Sequence, residues 1–303
     1  DNDFIHKNDQ QQMFTKSPVD EYILQDTTKY YRVLNLATST FNDGVTPYWH
    51  KVIGGYHAAK LRRYQDLIDV HLSSEIMALQ QDIYNSQGNM DSVNADKFKV
   101  LNMLNSKWII VPAQDGSIPI ENPYAMGNAW FVDNIRFADN ADEEIELLRT
   151  LDLNREAVAD KKFESLLTGF NLSSIPDSNV ESQPDSGSQS HPISESTIKL
   201  VDYDSDYMIY EVDAIKDELA VFSEIYYPKG WQITIDGEPA EMLRANYTLR
   251  ALPILAGEHT VEFRFEPKSI KVTDGIAYAA LLIMLLTSLF LLYRRIFSTK
   301  PMN

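Results

Sequence analysis

Residues Gly275 to Tyr293 read GIAYAALLIMLLTSLFLLY, a run of 19 positions without a charge. As a helix rising 1.5 Å per residue, such a run spans roughly 28 Å, about one hydrocarbon core. Arg294, Arg295 and Lys300 follow it directly, whereas the whole chain sets 44 acids against 27 bases, a net charge of -17. The positive-inside rule then puts the basic tail, 294–303, in the cytoplasm and the acidic bulk outside. The competing reading is a buried core helix, but a core helix seldom runs this long without a polar position. Mean hydropathy is -0.29. No other segment is long and apolar enough to span, so these 303 residues are not polytopic by themselves.

The same composition closes off other classes. Zero cysteines exclude a disulfide framework, a thiolate nucleophile and a Cys-ligated metal. The acidic balance disfavours nucleic acid, whose binders need a basic face. The sequence opens at Asp1 with neither a basic n-region nor an apolar h-region. An outside body needs an export signal, so the expectation is the C-terminal piece of a longer protein with earlier spans upstream.

Ahead of the apolar run the chain divides by composition. Residues 1–28 are polar and read as a connector with one short helix near Ser17-Pro18. Residues 29–172 have α+β character. Tyr30 to Leu36 is strand-like, and Phe41-Asn42-Asp43-Gly44 is a turn. His57 to Leu72 predicts a helix entered from Gly54-Gly55, with Leu61, Tyr64, Ile68 and Leu72 at helical spacing. Ala95 to Asn105 predicts a second helix, Lys107 to Pro112 a buried strand, and Gly127 to Phe137 a long strand or a pair. Asn140 is placed to cap a helix whose first turn holds Asp142, Glu143 and Glu144.

Residues 173–196 carry nine serines and three prolines, the composition of a linker or long surface loop. Seven short strands follow within 197–270, the fourth and fifth joined by an Asp236-Gly237 hairpin turn. Val261, Phe263 and Phe265 alternate with Glu262, Arg264 and Glu266, so one strand face is buried. The expected fold is therefore α+β: a mixed α/β extracytoplasmic region, then a β-sandwich-like domain, then one C-terminal transmembrane helix at 275–293.

Four stretches carry a resemblance. They are VIGGYHAAKLRRYQDLID (Val52 to Asp69), VLNMLNSKWIIVP (Val100 to Pro112), GNAWFVDNIRF (Gly127 to Phe137) and IYYPKGWQITIDGEPAEMLRANYTLRALPILAGEHTVEFRFEP (Ile225 to Pro267). Together, in this order and followed by a membrane helix, they resemble the YfhO-type bacterial membrane protein family. The resemblance implies a large polytopic protein similar to GT-C-type glycosyltransferases, which move sugar from a polyprenyl-phosphate carrier outside the cytoplasmic membrane. It also implies a link to glycosylation of envelope polymers such as lipoteichoic acid. The GT-C catalytic carboxylate sits in an early outer loop that this sequence does not contain. No catalytic residue is carried over, and catalysis by these residues alone is an open question.

The candidate binding element is Gly54, Gly55, Tyr56, His57, Lys60, Arg63 and Tyr64, the one basic cluster in an acidic body. On the predicted helix His57, Lys60, Leu61, Tyr64 and Ile68 share a face. Diglycine at a helix start would free backbone amides for an anion. One reading is a holder for a lipid-linked phosphate or an envelope glycan. The other is an ordinary helix start whose lysine is ion-paired, to Asp43 or Asp66. Tyr48, Trp49, Tyr56 and Tyr64 pack the core or stack on sugar rings. His50, His57 and His71 lack metal-ligand spacing, and no cofactor or metal is expected. The anticipated partners are the bilayer, a polyprenyl-phosphate sugar or envelope glycan, and the missing N-terminal membrane core, with no nucleic acid. The alternative function is a non-catalytic membrane-anchored surface module that binds carbohydrate or protein.

Overall fold

A computed structural model of the chain describes residues 14–170, the backbone of 173–174, and residues 196–297. Most of the 173–196 stretch, including the linker reading, lies outside the described residues, as do 1–13 and 298–303.

Helix α1 (Pro18–Ile23) begins where Ser17 accepts from the Asp20 amide while the Asp20 carboxylate accepts from the Ser17 amide, a reciprocal cap. Strand β1 (Arg32–Asn35) runs parallel to β2 (Ser106–Ala113), and β2 pairs antiparallel with β3 (Gly116–Glu121). Between β1 and β2 lie α2 (Thr46–Trp49) and, after a loop, α3 (Arg62–Leu67), a π-helical turn (Ile68–Leu72) and α4 (Ser73–Asn85), these last three in direct succession. The predicted helix of His57 to Leu72 thus starts late and ends late. His57 to Leu61 is loop, because α3 begins only at Arg62. The apolar stripe then continues past Leu72 through Leu79 and Ile83, both buried. The second predicted helix is a 3-10 turn (Ala95–Phe98) leading into α5 (Lys99–Met103). Its stripe of Phe98, Leu101 and Leu104 is fully buried.

The Gly127 to Phe137 stretch forms a pair, β4 (Ala129–Val132) and β5 (Asn134–Ala138). Next comes α6 (Ala141–Leu147), where Asn140 accepts from the Glu143 amide at 2.9 Å as its cap. Then follow β6 (Glu156–Asp160) and β7 (Ser173–Ser174).

The second half gives β8 (Thr197–Tyr203), β9 (Tyr207–Ala214), β10 (Glu218–Ile225), β11 (Trp231–Ile235), β12 (Glu238–Ala240), β13 (Leu243–Ala245), β14 (Leu249–Ile254) and β15 (Gly257–Phe265). The fifth expected strand, the one after the Asp236-Gly237 turn, is thus split into β12 and β13, so eight strands stand where seven were expected. These eight do not form a sandwich by themselves. Five make an antiparallel sheet in the order β12-β11-β15-β9-β8. The other three enter a seven-stranded sheet, β4-β10-β14-β13-β6-β5-β7, whose remaining four strands come from residues 129–174.

That shared sheet is the wall between two cores. Along β10, Leu219 and Val221 face one core while Ala220 and Phe222 face the other. Strand β14 alternates likewise, with Leu249 and Ala251 on one side and Leu252 and Ile254 on the other. The period of two makes this division automatic once a strand lies between two layers. It also explains why β10 reads as a nearly unbroken apolar run, LAVFSEI. The sandwich core is centred on Tyr210, Phe222 and Phe263, whose rings meet edge to face with centroids 4.9–6.0 Å apart. The larger core sits between the seven-stranded sheet and α3, α4, α5 and α6.

Helix α7 (Lys268–Phe297) leaves the end of β15. It is 30 residues long, an 18-residue stretch of it has mean hydropathy 2.4, and none of that stretch is buried among the described residues. A core helix would be mostly buried, and among the described residues this stretch packs on nothing. The fold is α+β with a sandwich and one C-terminal helix long and apolar enough to cross a membrane.

Candidate functional site

Arg32 sits at the start of β1 with its side chain nearly buried. Its Nη1 donates to the Leu104 carbonyl at 2.8 Å and the Ser223 carbonyl at 2.7 Å, and its Nη2 to Glu224 at 3.0 Å. Burial opposes the guanidinium charge, but Glu224 together with Tyr30 and Tyr64 outweighs it and holds the Arg32 pKa above its ordinary value. Tyr30, at φ 58°, donates its hydroxyl to the same carboxylate at 3.1 Å. Burial and the Glu224 charge push that phenol well up. The Tyr30 carbonyl accepts from Asn105 and from Asn128. This polar knot stitches the three-stranded sheet to the end of β10.

A cleft of about 310 Å³ opens above the knot, lined by Arg32, Val52, Ile53, Gly54, Gly55, His57, Ala59, Lys60, Leu61, Tyr64 and Ile225. Five of the seven candidate residues from the sequence therefore line one cleft: Gly54, Gly55, His57, Lys60 and Tyr64. Tyr56 and Arg63 do not. Tyr56 is largely exposed. Arg63 instead pairs with Glu144 at 3.1 Å and lies over the Tyr247 ring, 4.4 Å from its centroid.

The diglycine has a different role from the one its sequence position suggests. It does not start a helix. A Cβ on Gly54 would lie 1.8 Å from the Thr40 carbonyl oxygen, so only glycine lets the two backbones approach. Gly55 takes φ +89°, a conformation open to glycine at little strain, and donates to that same Thr40 oxygen at 2.7 Å. The pair clamps the 38–44 loop against the cleft wall. Tyr64 supplies the other wall, and its hydroxyl donates to the Ile53 carbonyl at 2.5 Å. Burial pushes the Tyr64 pKa up to about 12, so it stays a neutral donor.

Lys60 is half-buried and is paired with neither Asp43 nor Asp66. Asp43 is taken by Thr38, Thr46 and the Val45 amide. Asp66 is taken by Arg62 at 2.8 Å and by the Tyr247 hydroxyl at 3.0 Å. The Lys60 ammonium instead lies 5.4 Å from the centre of the Phe41 ring, and among the described residues it has no ion pair. His57 is exposed, its Nδ1 accepting from the Ala59 amide at 3.1 Å. With Arg32 neutralised by Glu224, the cleft presents one uncommitted cation, a histidine edge and apolar walls. That equipment suits holding an anionic or hydroxylated ligand. Glu224, below the cleft, is engaged by Arg32 and Tyr30.

Arg32 was missing from the candidate residues. Its signal was present, since a cation inside the strand-like run YYRVLNL must find a partner. The partner lies too far along the chain to be read locally. His50 bonds Asp20 at 2.9 Å, and His71 bonds the Ile145 carbonyl at 2.8 Å. Asn246, within a sequon pattern, is fully buried.

A two-sheet sandwich joined to an exposed apolar helix of spanning length defines a membrane-associated protein. Residues 188–277 match the family model described as bacterial membrane protein YfhO. The YfhO-type resemblance read from the sequence is to this same family, and the match contains the fourth quoted stretch, Ile225 to Pro267. The other three stretches, including the one that builds the cleft, lie upstream of it. No curated protein matches the chain, and no solved structure does.

Proposed function

We propose that the chain is the extracytoplasmic C-terminal part of a polytopic YfhO-like protein of the bacterial cytoplasmic membrane. In this reading it assists transfer of sugar from a polyprenyl-phosphate donor to an envelope glycan or lipid acceptor. The cleft around Lys60 holds the carrier phosphate or its sugar, while the chemistry belongs to the membrane core upstream. The bulk faces outward and the basic tail faces the cytoplasm. The observation that carries the reading is the convergence of Gly54, Gly55, His57, Lys60 and Tyr64 with Arg32 on one cleft. Its Ile225 wall is two residues from Tyr227, which lines the root of α7. Two residues span at most about 7 Å, so the cleft lies close to the membrane end of the sandwich.

The test is complementation in cells lacking the full gene, read by chemical analysis of envelope glycans. The wild-type gene restores the missing glycosyl substituent, and the Lys60→Glu gene does not. Equal restoration by both overturns the reading.

A second reading, a non-catalytic module binding glycan, draws on Tyr48 and Tyr56, which expose 62% and 70% of their surface. Exposed rings of this kind stack on sugar faces. If the deletion leaves envelope glycans unchanged while the isolated chain retains envelope polysaccharide, this second reading holds instead.

A further inference from the structure

A second cleft, of about 550 Å³, lies where β11 and β15 meet the root of α7. Tyr227, Lys229, Trp231, Phe265, Lys268 and Ile270 are among its walls. Its shape is fixed by backbone contacts. Gly230 takes φ +94°, and a Cβ there would lie 2.8 Å from the Phe265 ring and 3.0 Å from Pro267. The Gly230 carbonyl accepts from the Glu266 amide at 2.7 Å, which ties the 226–230 loop to the strand that feeds the helix. Trp231 is held from both directions. Its ring centre is 5.3 Å from that of Phe265 and 4.1 Å from the buried Arg250 guanidinium.

The charge and depth of the cleft point the same way. Lys229 and Lys268 are exposed, and neither has an ion pair among the described residues. Glu266 is the one carboxylate in the lining, so the cleft is net positive within an acidic protein. Lys268 lies seven residues before Gly275, where the uncharged run begins. In helical geometry that is about 10 Å, which puts the lysines in the headgroup layer when the run fills the hydrocarbon core. Tyr and Trp beside them are the side chains that settle at that depth. We propose that this cleft binds the phosphate headgroup of an anionic phospholipid from the surrounding bilayer, anchoring the sandwich at a set height and tilt. The proposal stands apart from the Lys60 cleft and needs no assumption about which side of the membrane the bulk occupies.

The test uses the full chain in detergent micelles with equimolar phosphatidylglycerol and phosphatidylcholine, and reads retained lipid by intact-complex mass spectrometry. Phosphatidylglycerol is retained in preference. Each of Lys229→Gln and Lys268→Gln lowers that preference by about fivefold, and the double variant abolishes it. Lys199→Gln, on β8 and outside this cleft, leaves it unchanged. Equal retention of the two lipids by the wild type overturns the proposal, as does an unaltered preference in the double variant with an unchanged circular dichroism spectrum.

Discussion

Arg32 and Glu224 meet at 3.0 Å across 192 positions of sequence, with 11% and 10% of their side-chain surface exposed. The pair joins β1 to β10, a strand that lies between the two cores, and Arg32 lines the Lys60 cleft. Breaking one side of such a pair leaves an uncompensated charge in a site closed to water.

Arg32→Ala is therefore predicted to destabilise the fold by about 3–5 kcal/mol. Lys at this position keeps the charge but cannot reach the Leu104 and Ser223 carbonyls together with Glu224. Its loss should be smaller yet clear. Urea denaturation of Arg32→Ala, Glu224→Gln and the double variant measures this. The double variant should lose much less than the two singles combined.

The diglycine gives a second prediction. Gly54→Ala forces Thr40, and the 38–44 loop with it, away from position 54, costing on the order of 1–3 kcal/mol. Gly44→Ala meets nothing within 4 Å and should stay within about 0.5 kcal/mol of wild type. Melting temperatures of the two variants decide it. A Gly54→Ala protein as stable as Gly44→Ala would contradict the packing described.

Glu75 supplies a pH dependence. Its carboxylate accepts from the amides of Val100 and Leu101. Burial nonetheless dominates and raises its pKa from the ordinary 4.5 to about 7. A carboxyl whose pKa is higher folded than unfolded lends stability that is full below pH 4.5 and lost as pH rises through about 7. A rise of that size amounts to roughly 3 kcal/mol at most. Denaturation midpoints at pH 5 and pH 8 should show the fall in wild type, and Glu75→Gln should flatten it.

The apolar helix gives a fourth. Leu285 lies near the middle of α7 and is exposed. Leu285→Arg costs about 2.5–3.5 kcal/mol of insertion at the centre of a membrane helix. Carbonate extraction should leave wild type in the membrane pellet and release a measurable share of the variant.

The sequence made some parts of this molecule legible and hid others for identifiable reasons. Local signals were sufficient where the structure is local. Asn140 caps α6 as its position suggested, and β11 and β12 pair across the Asp236-Gly237 turn as expected. The membership of those strands in sheets was not legible. Strand β10 pairs with β4, about 90 positions earlier, and nothing along β10 announces that partner. What β10 did announce, an apolar run without alternation, records its position between two cores. At the candidate site, composition drew attention to the 54–64 segment, and five of the residues named there share a cleft. The physical reason given for them was wrong in geometry. His57 and Lys60 come together through a loop clamped at Thr40, not along a helix face. Arg32 was hidden because its role depends on Glu224 at the far end of the fold.

The central claim is that the Lys60 cleft takes a lipid-carried phosphate or its sugar. Its most direct test is titration of the full chain in detergent with polyprenyl phosphate, following saturable binding in wild type, Lys60→Glu and Lys229→Gln/Lys268→Gln proteins. Saturable binding that weakens at least about tenfold in Lys60→Glu, and survives in the double lysine variant, is the predicted result. Binding of equal strength in wild type and Lys60→Glu would contradict the account.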